Sequence, residues 1–75
     1  MDERKTAVVT GAASGLGRDI AIALGRKGFS VLVADLDTKE TAVTAKMVEQ
    51  AGGTGEVYRC DVTRVEEVQA MADHV

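Results

Sequence analysis

The sequence is short of cysteine, aromatic residues, net charge and long apolar runs, and each shortage removes a class of protein. Cys60 is the lone cysteine in 75 residues. It closes no internal disulfide, and no Cys/His cluster offers a structural metal, so neither staple of very small domains is at hand. A single unpaired thiol fits a reducing, cytoplasmic setting. The aromatic residues are Phe29 and Tyr58 only, which removes the stacking platforms of single-strand nucleic-acid binders. Nine basic and twelve acidic residues leave a net charge of −3, spread along the chain. There is no basic stripe to meet nucleic acid or an anionic membrane. The longest apolar runs are about five residues, as at Ile20–Leu24, where a membrane span needs about 20. The N-terminal MDERKTAVV has no apolar signal-peptide core.

What is present reads as ordinary soluble globular sequence, 45% hydrophobic and 28% charged. A chain of this size forms one small domain at most and buries only about 60% of its unfolded surface. The expectation is a cytoplasmic domain, or a piece of one.

Two kinds of segment alternate. The β-branched runs TAVVT (Thr6–Thr10), SVLVAD (Ser30–Asp35) and EVYRCD (Glu56–Asp61) read as strands. The first two are nearly continuous in apolar residues, as strands covered on both faces are. Between the first pair, Leu16, Ile20 and Leu24 recur at helical spacing and predict the apolar stripe of a first helix, with Gly28 at its C-terminal cap. A second helix is predicted from near Thr38, with Glu40 in its first turn and Val43, Met47, Val48 and Ala51 facing inward. The run GGTG (Gly52–Gly55) ends it. A third helix is predicted from Thr63, which forms a capping-box pair with Glu66, and Val65, Val68, Ala72 and Val75 follow at helical intervals. Strand–helix repeated in this way gives an α/β fold, a Rossmann-like parallel sheet in the order 3-2-1.

The segment TGAASGLG (Thr10–Gly17) falls where strand one meets helix one. A helix N-terminus carries unpaired N–H groups and a partial positive charge that attract phosphate. Gly11 permits a sharp turn out of the strand, Gly15 admits a pyrophosphate against the backbone, and Gly17 allows helix and sheet to pack closely. Ser14 adds a hydroxyl donor. Eighteen residues beyond Gly17, Asp35 ends strand two, where a carboxylate can accept hydrogen bonds from both hydroxyls of an adenosine ribose. The same charge repels a 2′-phosphate by about 1–3 kcal/mol, which favours NAD over NADP.

On these residues the sequence resembles the short-chain dehydrogenase/reductase family. The carriers are the glycine spacing of Thr10–Gly17, the strand-two ending ADLD and the strand-three ending CDVT. The resemblance extends over all 75 residues and implies that they form the N-terminal, cofactor-binding part of a longer Rossmann domain. It implies that Gly11, Ser14, Gly15, Leu16 and Gly17 line the pyrophosphate and nicotinamide side of the site. It places Asp35 and Leu36 at the adenine ribose, and Asp61 and Val62 at the adenine edge. Family members that prefer NADP carry a basic residue at the positions of Ser14 or Leu36; both are neutral here. Arg18, next to Gly17, reads as a solvated first-turn cation.

The family's Tyr-x-x-x-Lys pair, its upstream serine and its Asn-Asn-Ala-Gly segment have no counterparts here. Tyr58 is the only tyrosine, and Val62 stands four residues later. Ser14 and Ser30 occupy the phosphate loop and a strand start. His74 reads as an exposed helix residue, and Cys60 as a small buried hydrophobe. No catalytic and no metal-binding residue is therefore assigned, and the 75-residue chain alone is expected to be inactive. The implied activity is hydride transfer between a nicotinamide cofactor and an alcohol or carbonyl substrate, in a homo-oligomer. The alternative is a nucleotide-binding or assembly module that never catalyses. A methyltransferase-type site is disfavoured by the glycine spacing, and a P-loop by the absence of Lys-Ser or Lys-Thr after the glycines.

Overall fold

A computed structural model describes residues 5–61 of the chain. Strand β1 (Thr6–Thr10), helix α1 (Gly15–Arg26), strand β2 (Ser30–Asp35), helix α2 (Thr38–Ala51) and strand β3 (Thr54–Arg59) follow one another. The three strands form a parallel sheet in the order β1-β2-β3, with β2 in the centre. This is the expected order read from the other edge. Thr6 lies opposite Ser30, and Ser30 opposite Thr54. The predicted third helix, together with Val62 and His74, lies outside the described residues.

The central strand is apolar because both its faces are covered. Val31 and Val33 point into a cluster with Val9, Ala12, Ala21, Ala45 and Val48, against which Leu24 and Phe29 pack. That cluster draws on both helices, so α1 and α2 share one face of the sheet. On the opposite face Leu32 and Ala34 pack with Cys60 and Tyr58. Cys60 is buried, as its residue type suggested.

Both helices are rotated from the faces predicted for them. In α1 the buried residues are Ala21 and Gly25, while Leu16 and Ile20 are 76% and 45% exposed. The core-facing stripe is thus turned by roughly a third of a helical turn from Leu16–Ile20–Leu24, and Leu24 alone of the three packs on the core. Contact distance explains the rotation. A Cβ on Gly25 would come within 2.8 Å of the Val48 carbonyl oxygen and 3.0 Å of its Cγ1. The two helices touch through a residue that has no side chain, so a pattern of large apolar residues does not mark the contact. In α2 the buried set is Thr41, Thr44, Ala45 and Val48, whereas Val43 is exposed. Of the predicted inner residues, Val48 is the one fully buried.

Helix α1 ends as the sequence suggested. Gly28 adopts φ 82°, its N–H reaches the Gly25 carbonyl at 2.9 Å, and Phe29 N–H reaches that of Leu24 at 3.1 Å. This is a Schellman closure, and Leu24 and Phe29 both pack against the core. Helix α2 starts at Thr38 as predicted, with the Asp37 side chain accepting a hydrogen bond from Glu40 N–H at 3.1 Å. Strand β3 begins at Thr54, two residues before the predicted start, and ends at Arg59 rather than Asp61. Gly55 is already paired with Val31. A Cβ there would lie 2.5 Å from the Ala45 carbonyl oxygen, so this glycine serves close packing under α2 inside the strand.

Candidate dinucleotide site

All three strands run parallel, so their carboxyl ends meet at one rim, and the glycine segment leaves β1 there. Gly11 has φ 65° and Gly15 φ 59°. Other residues rarely adopt this left-handed backbone, which costs roughly 1–2 kcal/mol with a Cβ. A Cβ on either would meet nothing within 4 Å. The space in front of both is open, as a close-approaching ligand requires. Gly17 is constrained differently. A Cβ there would strike the Gly11 carbonyl oxygen and lie 3.2 Å from Ala12 Cα. It brings the helix against its own preceding loop, where the sequence suggested packing on the sheet.

Between the glycines, every polar main-chain group of Ala12 and Ala13 is bound. Ala12 N–H donates to the Ala34 carbonyl at 3.3 Å, and Ala12 C=O accepts from Thr44 Oγ1 at 2.7 Å. Ala13 N–H donates to Asp35 Oδ2 at 3.3 Å, and Ala13 C=O accepts from Arg18 Nη2 at 2.6 Å. The first intrahelical bond, from Arg18 N–H to the Ser14 carbonyl, follows at 3.5 Å. The N–H groups of Gly15, Leu16 and Gly17 precede it and have no acceptor within the helix. Ser14 occupies the N-cap position with extended backbone, and its side chain makes no cap hydrogen bond. Its exposed hydroxyl stands beside those donors.

Asp35 is half-buried at the end of β2. One carboxylate oxygen holds Ala13 N–H and the other accepts from Asp37 N–H at 3.2 Å. The carboxylate is thus fixed next to the glycine loop before any ligand arrives. Leu36 beside it is 48% exposed. Asp61 is half-buried beyond the end of β3, at the same rim. The structure gathers Gly11, Ser14, Gly15, Leu16, Gly17, Asp35, Leu36 and Asp61 along this edge.

Arg18 departs from its reading as a solvated cation. Its Nε donates to Thr44 Oγ1 at 2.8 Å, and its Nη2 to the carbonyls of Ala13 at 2.6 Å and Glu40 at 3.1 Å. Glu40 Oε1 lies 3.5 Å from the same nitrogen. The guanidinium ties loop, α1 and α2 together. Sequence reasoning missed this network because its partners are main-chain carbonyls and Thr44, a fully buried residue on α2. The available signal was the spacing of Thr41, Thr44 and Val48 at i, i+3 and i+7, a helical stripe with hydroxyls in it.

A parallel β-α-β-α-β unit with a glycine turn at the first strand end and an acid at the second is a Rossmann-like half of a dinucleotide-binding fold. The sequence model of the family described as short chain dehydrogenase matches residues 5–75. The chain belongs to that family. It is 38% identical over 69 residues to 7alpha-hydroxysteroid dehydrogenase of Escherichia coli, a match that covers 92% of this chain and 27% of the relative. The chain thus spans about a quarter of that relative's length. Among solved structures, a metagenomic short-chain oxidoreductase in complex with NADP superposes with TM-score 0.89 at 33% identity, over 93% of this chain and 32% of that one. A short chain dehydrogenase/reductase from Burkholderia phymatum in complex with NAD gives 0.86 at 38% identity, over 99% and 27%.

Proposed function

We propose that these residues are the cofactor-binding half of an NAD-dependent oxidoreductase acting on a small alcohol or carbonyl substrate. The single observation that carries the proposal is Asp35, held by Ala13 N–H beside a loop opened by left-handed Gly11 and Gly15. In this reading the N–H groups of Gly15, Leu16 and Gly17 and the hydroxyl of Ser14 receive the pyrophosphate. Asp35 receives the adenosine ribose, with Leu36 beside it. Asp61 and Val62 receive the adenine edge. A bound nicotinamide would supply or accept the hydride. The acid/base that serves the substrate oxygen is not among the residues assigned here. The hydroxysteroid dehydrogenase relative supports an alcohol or carbonyl substrate class, and a cytoplasmic homo-oligomer completes the proposal.

Preference for NAD rests on charge. A 2′-phosphate would approach the Asp35 carboxylate, and the neighbouring Leu36 and Ser14 are neutral. Arg18, the nearby cation, already donates to Thr44, Ala13 and Glu40. It is committed elsewhere.

The test is Asp35→Ala in the full-length protein, with NAD and NADP dissociation constants measured by calorimetry. The unaltered protein is expected to favour NAD by about tenfold to a hundredfold. The variant should bind both more weakly, because Ala13 N–H loses its acceptor, and should discriminate less. The ratio, and not the affinity, reports on the ribose. An unchanged ratio would remove Asp35 from that role.

A further inference from the structure

We infer that Arg18 is a positioning residue for the anion-binding loop, an inference that rests on the cofactor reading above. In a planar trans peptide the C=O of one residue and the N–H of the next point in opposite directions, and no peptide in the described chain is cis. Two successive peptides of the loop are fixed by this geometry. Thr44 Oγ1 holds Ala12 C=O, and the other end of that peptide, Ala13 N–H, is turned to Asp35 Oδ2. Arg18 Nη2 holds Ala13 C=O, and the other end of that peptide is Ser14 N–H. Arg18 therefore sets the direction in which Ser14 N–H is presented. It also keeps the negative end of the Ala13 carbonyl dipole bound to a cation.

The network is built for orientation. Arg18 Nε and Nη2 engage Thr44 Oγ1 and two carbonyls from one planar group, a fork that a lysine ammonium does not reproduce. Thr44 is fully buried and acts at both ends, accepting from Arg18 and donating to Ala12. Glu40 Oε1 lies 3.5 Å from the guanidinium, so the positive charge already has an acidic partner within the chain. What remains for the ligand is the aim of the loop.

The experiment compares ADP with adenosine on the full-length protein, because only ADP engages the phosphate loop. Arg18→Ala is expected to weaken ADP and NAD by about tenfold, the size of one charge-assisted hydrogen bond, and to leave adenosine unchanged. Arg18→Lys keeps the charge without the fork and is expected to remain as weak as Arg18→Ala. Thr44→Val, nearly isosteric, should weaken ADP selectively and reports on the network even if the Arg18 variants do not fold. Equal weakening of ADP and adenosine would show a merely structural role and overturn the inference. So would recovery of ADP binding by lysine, which would make Arg18 a source of field alone, or unchanged ADP binding in a folded Arg18→Ala protein. If the unaltered protein bound neither NAD nor ADP, the cofactor reading itself would fall, and this inference with it.

Discussion

Gly17→Ala sets two opposed effects against each other, and the structure decides between them. Replacing a helical glycine by alanine stabilises a helix by up to about 1 kcal/mol. The new methyl, however, would strike the Gly11 carbonyl oxygen and lie 2.8 Å from the Gly11 carbonyl carbon and 3.2 Å from Ala12 Cα. All of these are main-chain atoms, so no side-chain rotation relieves the contact. Overpacking costs about 1–3 kcal/mol, and rigid neighbours put this case at the upper end. The expected net loss is about 2 kcal/mol. Relief must come from displacing the loop between Gly11 and Ala12, so ligand binding should suffer along with stability. Urea unfolding of the full-length protein, followed by titration with ADP, measures both. A variant as stable as the original that binds ADP equally well would refute the claim that Gly17 is required for space.

Two smaller changes separate binding from folding at the same edge. Ser14→Ala should leave stability within about 0.5 kcal/mol, because the hydroxyl makes no cap hydrogen bond. It should weaken ADP binding about twofold to tenfold; a clear drop in melting temperature would contradict this. Asp37→Ala should do the reverse, costing about 1 kcal/mol through loss of the α2 cap with discrimination between NAD and NADP retained. Unchanged thermal stability would remove Asp37 from that role.

The parts of the fold legible in the sequence were those written in backbone preference. β1 and β2 announce themselves as β-branched runs, the start of α2 is marked by Thr38 with Glu40 in the first turn, and the end of α1 by a left-handed glycine. The glycine loop and Asp35 could be placed because strand ends and helix starts fix where a parallel sheet opens. The helix faces were not legible. Leu16 and Ile20 suggested a core stripe, yet α1 meets its surroundings through Gly17, Ala21 and Gly25, where proximity replaces bulk. The same cause moved the start of β3, since Gly55 looked like loop and is a strand residue under α2. Arg18 was misread because a sequence does not show that a cation's partners are carbonyls 5 and 22 residues away.

The even register of the sheet has a consequence for how the chain assembles. Thr6 pairs with Ser30, and Ser30 with Thr54, an offset of 24 residues each time. Each pairing therefore closes a loop of the same length, at an entropic cost of about 3 kcal/mol beyond the constant term. Neither closure has a kinetic head start from chain length. β2 takes part in both. Among the described residues, a lesion in Val31 or Val33 would therefore weaken two pairings at once, whereas one in β1 or β3 would weaken a single one. The middle strand is the one that both closures require.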